Sequence, residues 1–538
     1  MKTAYYNGKV YTGEGFAQAF ITEGGLFGAV GSNEEILSQM VDEMVDLKGH
    51  FVCAGFNDSH MHLLNYGHFL QMAHLNEHTS SLLCLLKYIK EFRQEKGLKG
   101  DQWLQGRGWN QDYFTDVKRM ITRDDIDSVI DDIPVILTRT CGHCCVVNSR
   151  ALELAGIDDN TVSPEGGAIG KGNGRLNGLF YDNAIDLIVK RIPIPDRQEI
   201  KGMILAGCNK LNGYGITSVQ SDDYGVFSEI PYEVINEVYR QLADEGLLTV
   251  RVNQQANFTD LNRYMESVKN GNITGKGDGL YRIGPLKLLG DGSLGGRTAW
   301  LSRPYEDDPS TCGFPLFSDE FMNDIIDYAN SHDMQVAVHA IGDRCLDQVL
   351  DAMEGALNKH PRKDHRHGIV HCQISRPDQL ERIAGLNLHV YAQSIFLDYD
   401  NHIVYARAGK DLGDTSYSWK TLMDQGARVS NGSDAPVELP DVMKGIECAV
   451  TRTSLDGTGP YLEKEAFSVK EAIDSFTING AYASFEEDMK GKIKKGQYAD
   501  FTVLKQNPFE TEKKKIHEIE VLETWTGGKQ VYKRGESV

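Results

Sequence analysis

The residues best able to do chemistry fall at the ends of short apolar runs. His60 and His62 close the run that begins Phe51-Val52-Cys53-Ala54 and are separated by one residue. Side chains at i and i+2 of a strand point to the same side, so both imidazoles can meet one metal ion. A lone His-x-His also arises by chance on surfaces and in cores. Lys287 lies inside Ile283-Gly284-Pro285-Leu286-Lys287-Leu288-Leu289, where a free ammonium is costly. It either snorkels from a strand end or stays neutral enough to be carbamylated and to bridge two metals. His339 ends Val336-Ala337-Val338-His339, His371 ends Gly368-Ile369-Val370-His371, and Asp434 ends Val429-Ser430-Asn431-Gly432-Ser433-Asp434. Each alone is compatible with a satisfied polar residue at a strand terminus. Four histidines, a lysine and an aspartate on successive strand ends are much harder to assemble by chance. Imidazole and carboxylate suit zinc and similar divalent ions, which activate water for attack on a carbonyl-type carbon.

Such residues need a scaffold that brings strand ends together. Short apolar runs at 213–220, 280–290, 334–340, 368–372, 388–392 and 428–432 alternate with helical patterns such as 320–332 and 344–359. That rhythm predicts parallel α/β structure, and a distorted TIM (β/α)₈ barrel accounts for it, with the active site at the C-terminal ends of the strands. Residues 1–50 and the last fifty or so read as short strands with turns, among them a hairpin at Asn7-Gly8. Together they predict a small β-sandwich domain of 1–50 plus 486–538. The barrel is expected over 51–80 plus 196–485. Residues 81–195, rich in glycine and turn signals, break the rhythm and predict an α+β insertion.

Composition narrows the function classes. With 538 residues, 41% hydrophobic and 25% charged, wholesale disorder and coiled coil are excluded. The 56 basic and 77 acidic residues leave a net charge of −21, which argues against nucleic acid and anionic membrane surfaces as partners. No signal-peptide-like start and no apolar stretch of membrane-spanning length is evident, so a cytoplasmic location is expected. Ten scattered cysteines fit reduced thiols. Cys141-Gly142-His143-Cys144-Cys145 lacks a second pair of finger-like spacing, so it predicts a loop or buried thiol cluster rather than a zinc knuckle.

The same residues carry a resemblance. The segment from Gly55 to His62, Gly106-Arg107-Gly108-Trp109-Asn110, Gly142-His143 and Asp291-Gly292-Ser293-Leu294-Gly295-Gly296-Arg297 resemble the amidohydrolase superfamily. So do His339-Ala340-Ile341-Gly342-Asp343, His371-Cys372-Gln373 and Gly432-Ser433-Asp434-Ala435-Pro436, and the match is closest to the YtcJ-like branch. The resemblance implies that His60, His62 and Asp434 hold one metal and that His339 and His371 hold a second. Lys287, as a carbamate, would bridge the two ions, and zinc is the expected metal. It further implies a small-molecule substrate and suggests a homodimer. Hydrolysis of a C–N bond in an amide or N-substituted formamide is expected, with Asp434 accepting a proton from the nucleophile and returning it to the leaving nitrogen. A deaminase, a cyclic-imide or lactam hydrolase, and a catalytically silent binding relative are the alternatives.

His143, Arg297 and Trp109 are candidate substrate contacts, with a loop-holding ion pair the alternative for Arg297 and packing the alternative for Trp109. Asp343 is a candidate partner for a ligand histidine. His367 competes with His371, which the strand end favours. Gln220 stands where the family often has a histidine, and Val370 where it often has an acid.

Overall fold

In a computed structural model, which describes residues 1–536, the chain falls into two compact units. One is Met1–Tyr66 with Ile204–Val538, and the other is Gly67–Met203. Among the described residues no helix is long and apolar enough to cross a membrane.

The first unit contains a sheet of eight strands that follow one another in chain order: β1 (Phe56–Met61), β2 (Ile216–Ser221), β3 (Arg251–Asn257), β4 (Tyr281–Leu289), β5 (Val336–Ala340), β6 (Gly368–His371), β7 (His389–Ala392) and β8 (Arg428–Asn431). All seven hydrogen-bonded pairings are parallel. The two end strands then meet. The Asp434 N–H donates to the His60 carbonyl at 2.8 Å, and the His62 N–H donates to the Ala435 carbonyl at 2.9 Å. This is the TIM barrel expected from the alternation of runs and helices. Its strands are buried almost throughout, as strands covered on both faces must be. Helices Asp319–Ser331 and Asp343–Lys359 pack side by side, each starting within a residue of the periodicity that predicts it.

Strand β3 has no counterpart among the predicted runs. Its sequence, Arg-Val-Asn-Gln-Gln-Ala-Asn, carries one cation and four amides, yet all but its last residue are buried. Some of its polar groups find partners inside. Arg251 makes a two-pronged pair with Asp500 at 2.6 and 2.9 Å and lies over the Tyr498 ring.

Both chain ends contribute to one six-stranded sheet, in which Phe501–Leu504 runs antiparallel to Phe51–Ala54. A four-stranded sheet made of Leu26–Gly31, Ala19–Glu23, Lys2–Tyr6 and Glu43–Asp46 faces it. Tyr5, Phe20 and Phe27 from one sheet and Val52, Phe501 and Val503 from the other share the core between them. The hairpin expected at Asn7-Gly8 is not formed. Asn7 does turn the chain (φ 60°), but Lys2–Tyr6 and Lys9–Tyr11 pair in different sheets. A left-handed residue reverses direction equally well between two sheets as within one.

Phe51–Ala54 passes directly through Gly55 into β1. A Cβ on Gly55 would lie 2.2 Å from Thr217 Oγ1 of β2, so only glycine fits the transition. The second unit holds its own six-stranded mixed sheet, in the order Gly167–Gly172, Arg175–Asp182, Cys144–Val147, Val135–Arg139, Leu104–Trp109, Ala73–His74.

Candidate metal centre

Barrel closure places the last strand's aspartate against the first strand's histidines. Asp434 Oδ1 lies 3.4 Å from His60 Nε2 and 3.1 Å from His62 Nε2. His60, His371 and Asp434 each present a buried ligand atom within 4.8 Å of the other two. His339 joins through its ring, which packs edge-on against His371 at 4.4 Å between centroids. Phe396 stacks on His371 at 5.9 Å. His371 and Asp434 both have positive φ, 75° and 58°, which ordinary side chains rarely adopt. Such strain persists where surrounding contacts impose it, as the seam hydrogen bond from the Asp434 N–H does at that residue.

The other ring nitrogen of each histidine shows which nitrogen is free to bind. His60 Nδ1 is 2.7 Å from Gln255 Oε1, His371 Nδ1 is 2.7 Å from Gln393 Oε1, and His62 Nδ1 is 2.8 Å from the Asp222 carbonyl. Carbonyl and amide oxygens only accept, so these Nδ1 atoms carry the proton and Nε2 faces inward with a lone pair. His339 is reversed. Its Nε2 donates to the Gly292 carbonyl at 3.1 Å, leaving Nδ1 as the lone-pair nitrogen.

Electrostatics favours neutral imidazoles at His60 and His371. Burial, then the charge of Lys287, drives His60 far towards neutrality, and burial with His339 lowers His371 to about 3. Burial opposes a proton on His62 too, but Asp434 and Asp222 outweigh it and raise its pKa to about 9. The His62–Asp434 approach is oblique, since Asp434 Oδ1 has no aligned hydrogen-bond donor, so charge rather than a directed bond carries that attraction. Burial would raise the Asp434 carboxyl, and the imidazoles around it hold it well below the usual range. Lys287 is fully buried. Its Nζ has no hydrogen-bond partner, its nearest carboxylate oxygen is Asp222 Oδ2 at 3.7 Å, and burial lowers its pKa. A divalent cation fits this donor set. Imidazole nitrogens of His60 and His371 converge with an Asp434 oxygen, and Asp434 Oδ1 and Lys287 Nζ are buried polar atoms without a hydrogen-bond partner.

Not every candidate joins the site. Trp109 is a correction. It is fully buried in the core of the second unit and its indole N–H donates to the Leu137 carbonyl at 2.8 Å, which is packing rather than substrate contact. Arg297 forms a two-pronged pair with Asp307 at 2.8 and 3.1 Å, and Arg407 also pairs with that carboxylate. That is the kind of pair the loop-holding alternative expects. His143 is exposed and its Nδ1 is 3.1 Å from Asp182 Oδ1. Asp343 pairs with Arg376 and the Ser302 N–H. The carboxylate beside His339 is instead Asp291, 3.3 Å from Nε2 and held by the Ile341, Gly342 and Trp300 N–H groups. His367 accepts from the Val336 N–H and meets Asn330, away from the ligand end of its strand. Gln220 donates to the Gly480 carbonyl.

Sequence reasoning missed Gln255, Gln393 and Asp291. The amides left only a faint trace, as uncharged polar residues in or just after strand runs. Asp291 stood in plain view within its glycine-rich motif.

Residues 43–532 match the amidohydrolase family. The chain is 35% identical to the putative amidohydrolase YtcJ of Bacillus subtilis, over 99% of this chain and all of that one. It is 25% identical to the N-substituted formamide deformylase of Arthrobacter pascens, over 96% and 95% of the two chains. Among solved structures, an uncharacterised metal-dependent hydrolase from Pyrococcus horikoshii superposes with a TM-score of 0.79 at 27% identity, covering 95% of this chain and 99% of the other.

Proposed function

We propose that this chain, which belongs to the amidohydrolase family, hydrolyses the C–N bond of an amide or N-substituted formamide at a two-metal centre. The observation that carries the reading is the convergence of inward-facing imidazole nitrogens on Asp434 Oδ1, a buried carboxylate oxygen with no hydrogen-bond donor. Similarity along the whole chain to a protein named as an N-substituted formamide deformylase supports the substrate type.

His60, His62 and Asp434 would hold one ion, and His371 with Nδ1 of His339 the other. Lys287, as a carbamate formed from its neutral amine and CO₂, would be shared between them. Bound zinc supplies Lewis-acid polarisation of the carbonyl and lowers the pKa of water at neutral pH. The protein's own part is proton management. Asp434, ionised by its imidazole surroundings, takes the proton released as water adds to the carbonyl carbon. It then delivers that proton to the leaving nitrogen, the C–N bond breaks, and an acid and an amine leave. Gln255, Gln393 and the Asp222 carbonyl accept from Nδ1 of His60, His371 and His62, so each of these rings would offer Nε2 to a metal ion.

The test is a screen of amides, formamides and lactams on zinc-loaded protein, with metal content measured alongside. Turnover near two zinc per chain, abolished by Asp434→Asn, is expected. Bound metal without hydrolysis of any of the three classes refutes the substrate assignment, and undiminished turnover by Asp434→Asn refutes the proton route.

A further inference from the structure

The two buried glutamines point to more than packing. Gln255 lies on β3 and Gln393 directly follows β7, so they come from separate parts of the barrel, and both are wholly excluded from solvent. Each ends on the same atom of a different candidate ligand, Nδ1, at the same 2.7 Å. The Gln393 amide cannot turn over without loss, because its Nε2–H donates to the Tyr391 carbonyl at 2.9 Å, which fixes Oε1 towards His371. The Gln255 Nε2 points to the Ser59 carbonyl at 3.4 Å, a weaker anchor in the same sense.

We propose that Gln255 and Gln393 are positioning residues that aim the metal-binding nitrogens of His60 and His371 and fix their tautomers with uncharged acceptors. The inference rests on the metal-dependent reading above. The chemical choice of an amide matters. A carboxylate in either place would add a buried charge beside Asp434 and would make its histidine a more basic ligand. An amide accepts the same proton while leaving the imidazole a weaker donor, which keeps the bound ion a stronger Lewis acid. At His60 and His371, then, no charged group stands behind the ring, in contrast to His339 with Asp291 beside it. His62 follows the same plan with a backbone carbonyl, so the Nδ1 acceptor of three histidines is uncharged.

The experiment uses full-length protein with Gln255→Leu, Gln393→Leu, Gln255→Glu and Gln393→Glu. Zinc affinity is read by competition with a chromophoric chelator. The visible spectrum of the cobalt-loaded protein reports ligand geometry without reference to activity, and thermal unfolding of metal-free protein reports folding. The leucine variants should bind zinc about 10–100-fold more weakly, with an altered cobalt spectrum and a metal-free melting point within a few degrees of wild type. The glutamate variants, which keep an acceptor, should bind at least as tightly as wild type. A leucine variant that binds zinc within twofold of wild type overturns the inference. So does a glutamate variant as weak as its leucine counterpart, which would place the role in shape. If the leucine variants do not fold, the glutamate variants decide through affinity and the cobalt spectrum. Wild-type protein that takes up neither zinc nor cobalt overturns the metal-dependent reading itself.

Discussion

Gly432 is the position at which a single methyl group should damage the centre most. It directly follows β8 at the barrel seam, two residues before Asp434. An ideal Cβ there would lie 2.6 Å from Asp58 Oδ1, 2.6 Å from His60 N and 2.8 Å from His60 O. Ordinary contact begins near 3.4 Å, so the seam must open by about 0.8 Å. The obstructing atoms cannot swing aside. Two belong to the β1 backbone, and the Asp58 carboxylate is held by the Ser433 N–H at 3.0 Å and by the Ser433 hydroxyl. Overpacking of this kind costs about 1–3 kcal/mol. Metal sites tolerate displacements of only about 0.2 Å, and a misplacement near 1 Å costs a rate of order 100-fold. Gly432→Ala should therefore lower metal-free stability by about 1–3 kcal/mol in urea unfolding, weaken zinc binding at least tenfold by calorimetry, and cut kcat/KM about 100-fold. Gly355→Ala is the control. Its Cβ would meet nothing within 4 Å on helix Asp343–Lys359, and it should stabilise by about 0.5–1 kcal/mol. Wild-type zinc affinity and stability in Gly432→Ala would refute the claim that seam spacing sets ligand geometry.

Trp109→Ala should destabilise the inserted unit by about 3–5 kcal/mol while leaving zinc stoichiometry unchanged; loss of bound metal would contradict a packing role. Lys287→Met should lower bound metal from about two ions per chain to about one by elemental analysis, and two ions retained would exclude the shared carbamate. In metal-free protein the His62 pKa stands above its unfolded value, at about 9. Its stabilising contribution is therefore complete below about pH 6.5 and disappears as pH rises through about 9. The stability difference between wild type and His62→Asn should shrink from pH 6 to pH 10; a difference that grows would reverse the assignment.

The barrel was legible because its core strands are apolar runs ending in polar residues, and the helices between them have clean periodicity. β3 escaped because it breaks the rule that buried strands are apolar. Arg251, Asn253, Gln254 and Gln255 are all buried, and distant sequence supplies the partners of two of them, Asp500 for Arg251 and His60 for Gln255. The hairpin at Asn7-Gly8 failed for a related reason. The turn is a local property and was read correctly, whereas the choice of sheet for the next strand depends on Phe51–Ala54, some forty residues away.

The candidate ligands themselves were visible as residue types at strand ends, but their usable nitrogens were not. Whether a histidine offers Nδ1 or Nε2 depends on what accepts its other proton, and every acceptor here comes from elsewhere in the chain: Gln255 for His60, Asp222 for His62, Gln393 for His371, Gly292 for His339. The same physics bears on Arg297, a candidate substrate contact. A guanidinium in a glycine-rich motif invites a substrate role until Asp307 and Arg407 are seen to complete a local ion-pair cluster. Ligand identity is thus a property of single strands, while ligand orientation is a property of the closed barrel. A substitution behind a ligand can therefore alter the centre without touching any residue that a sequence motif would mark.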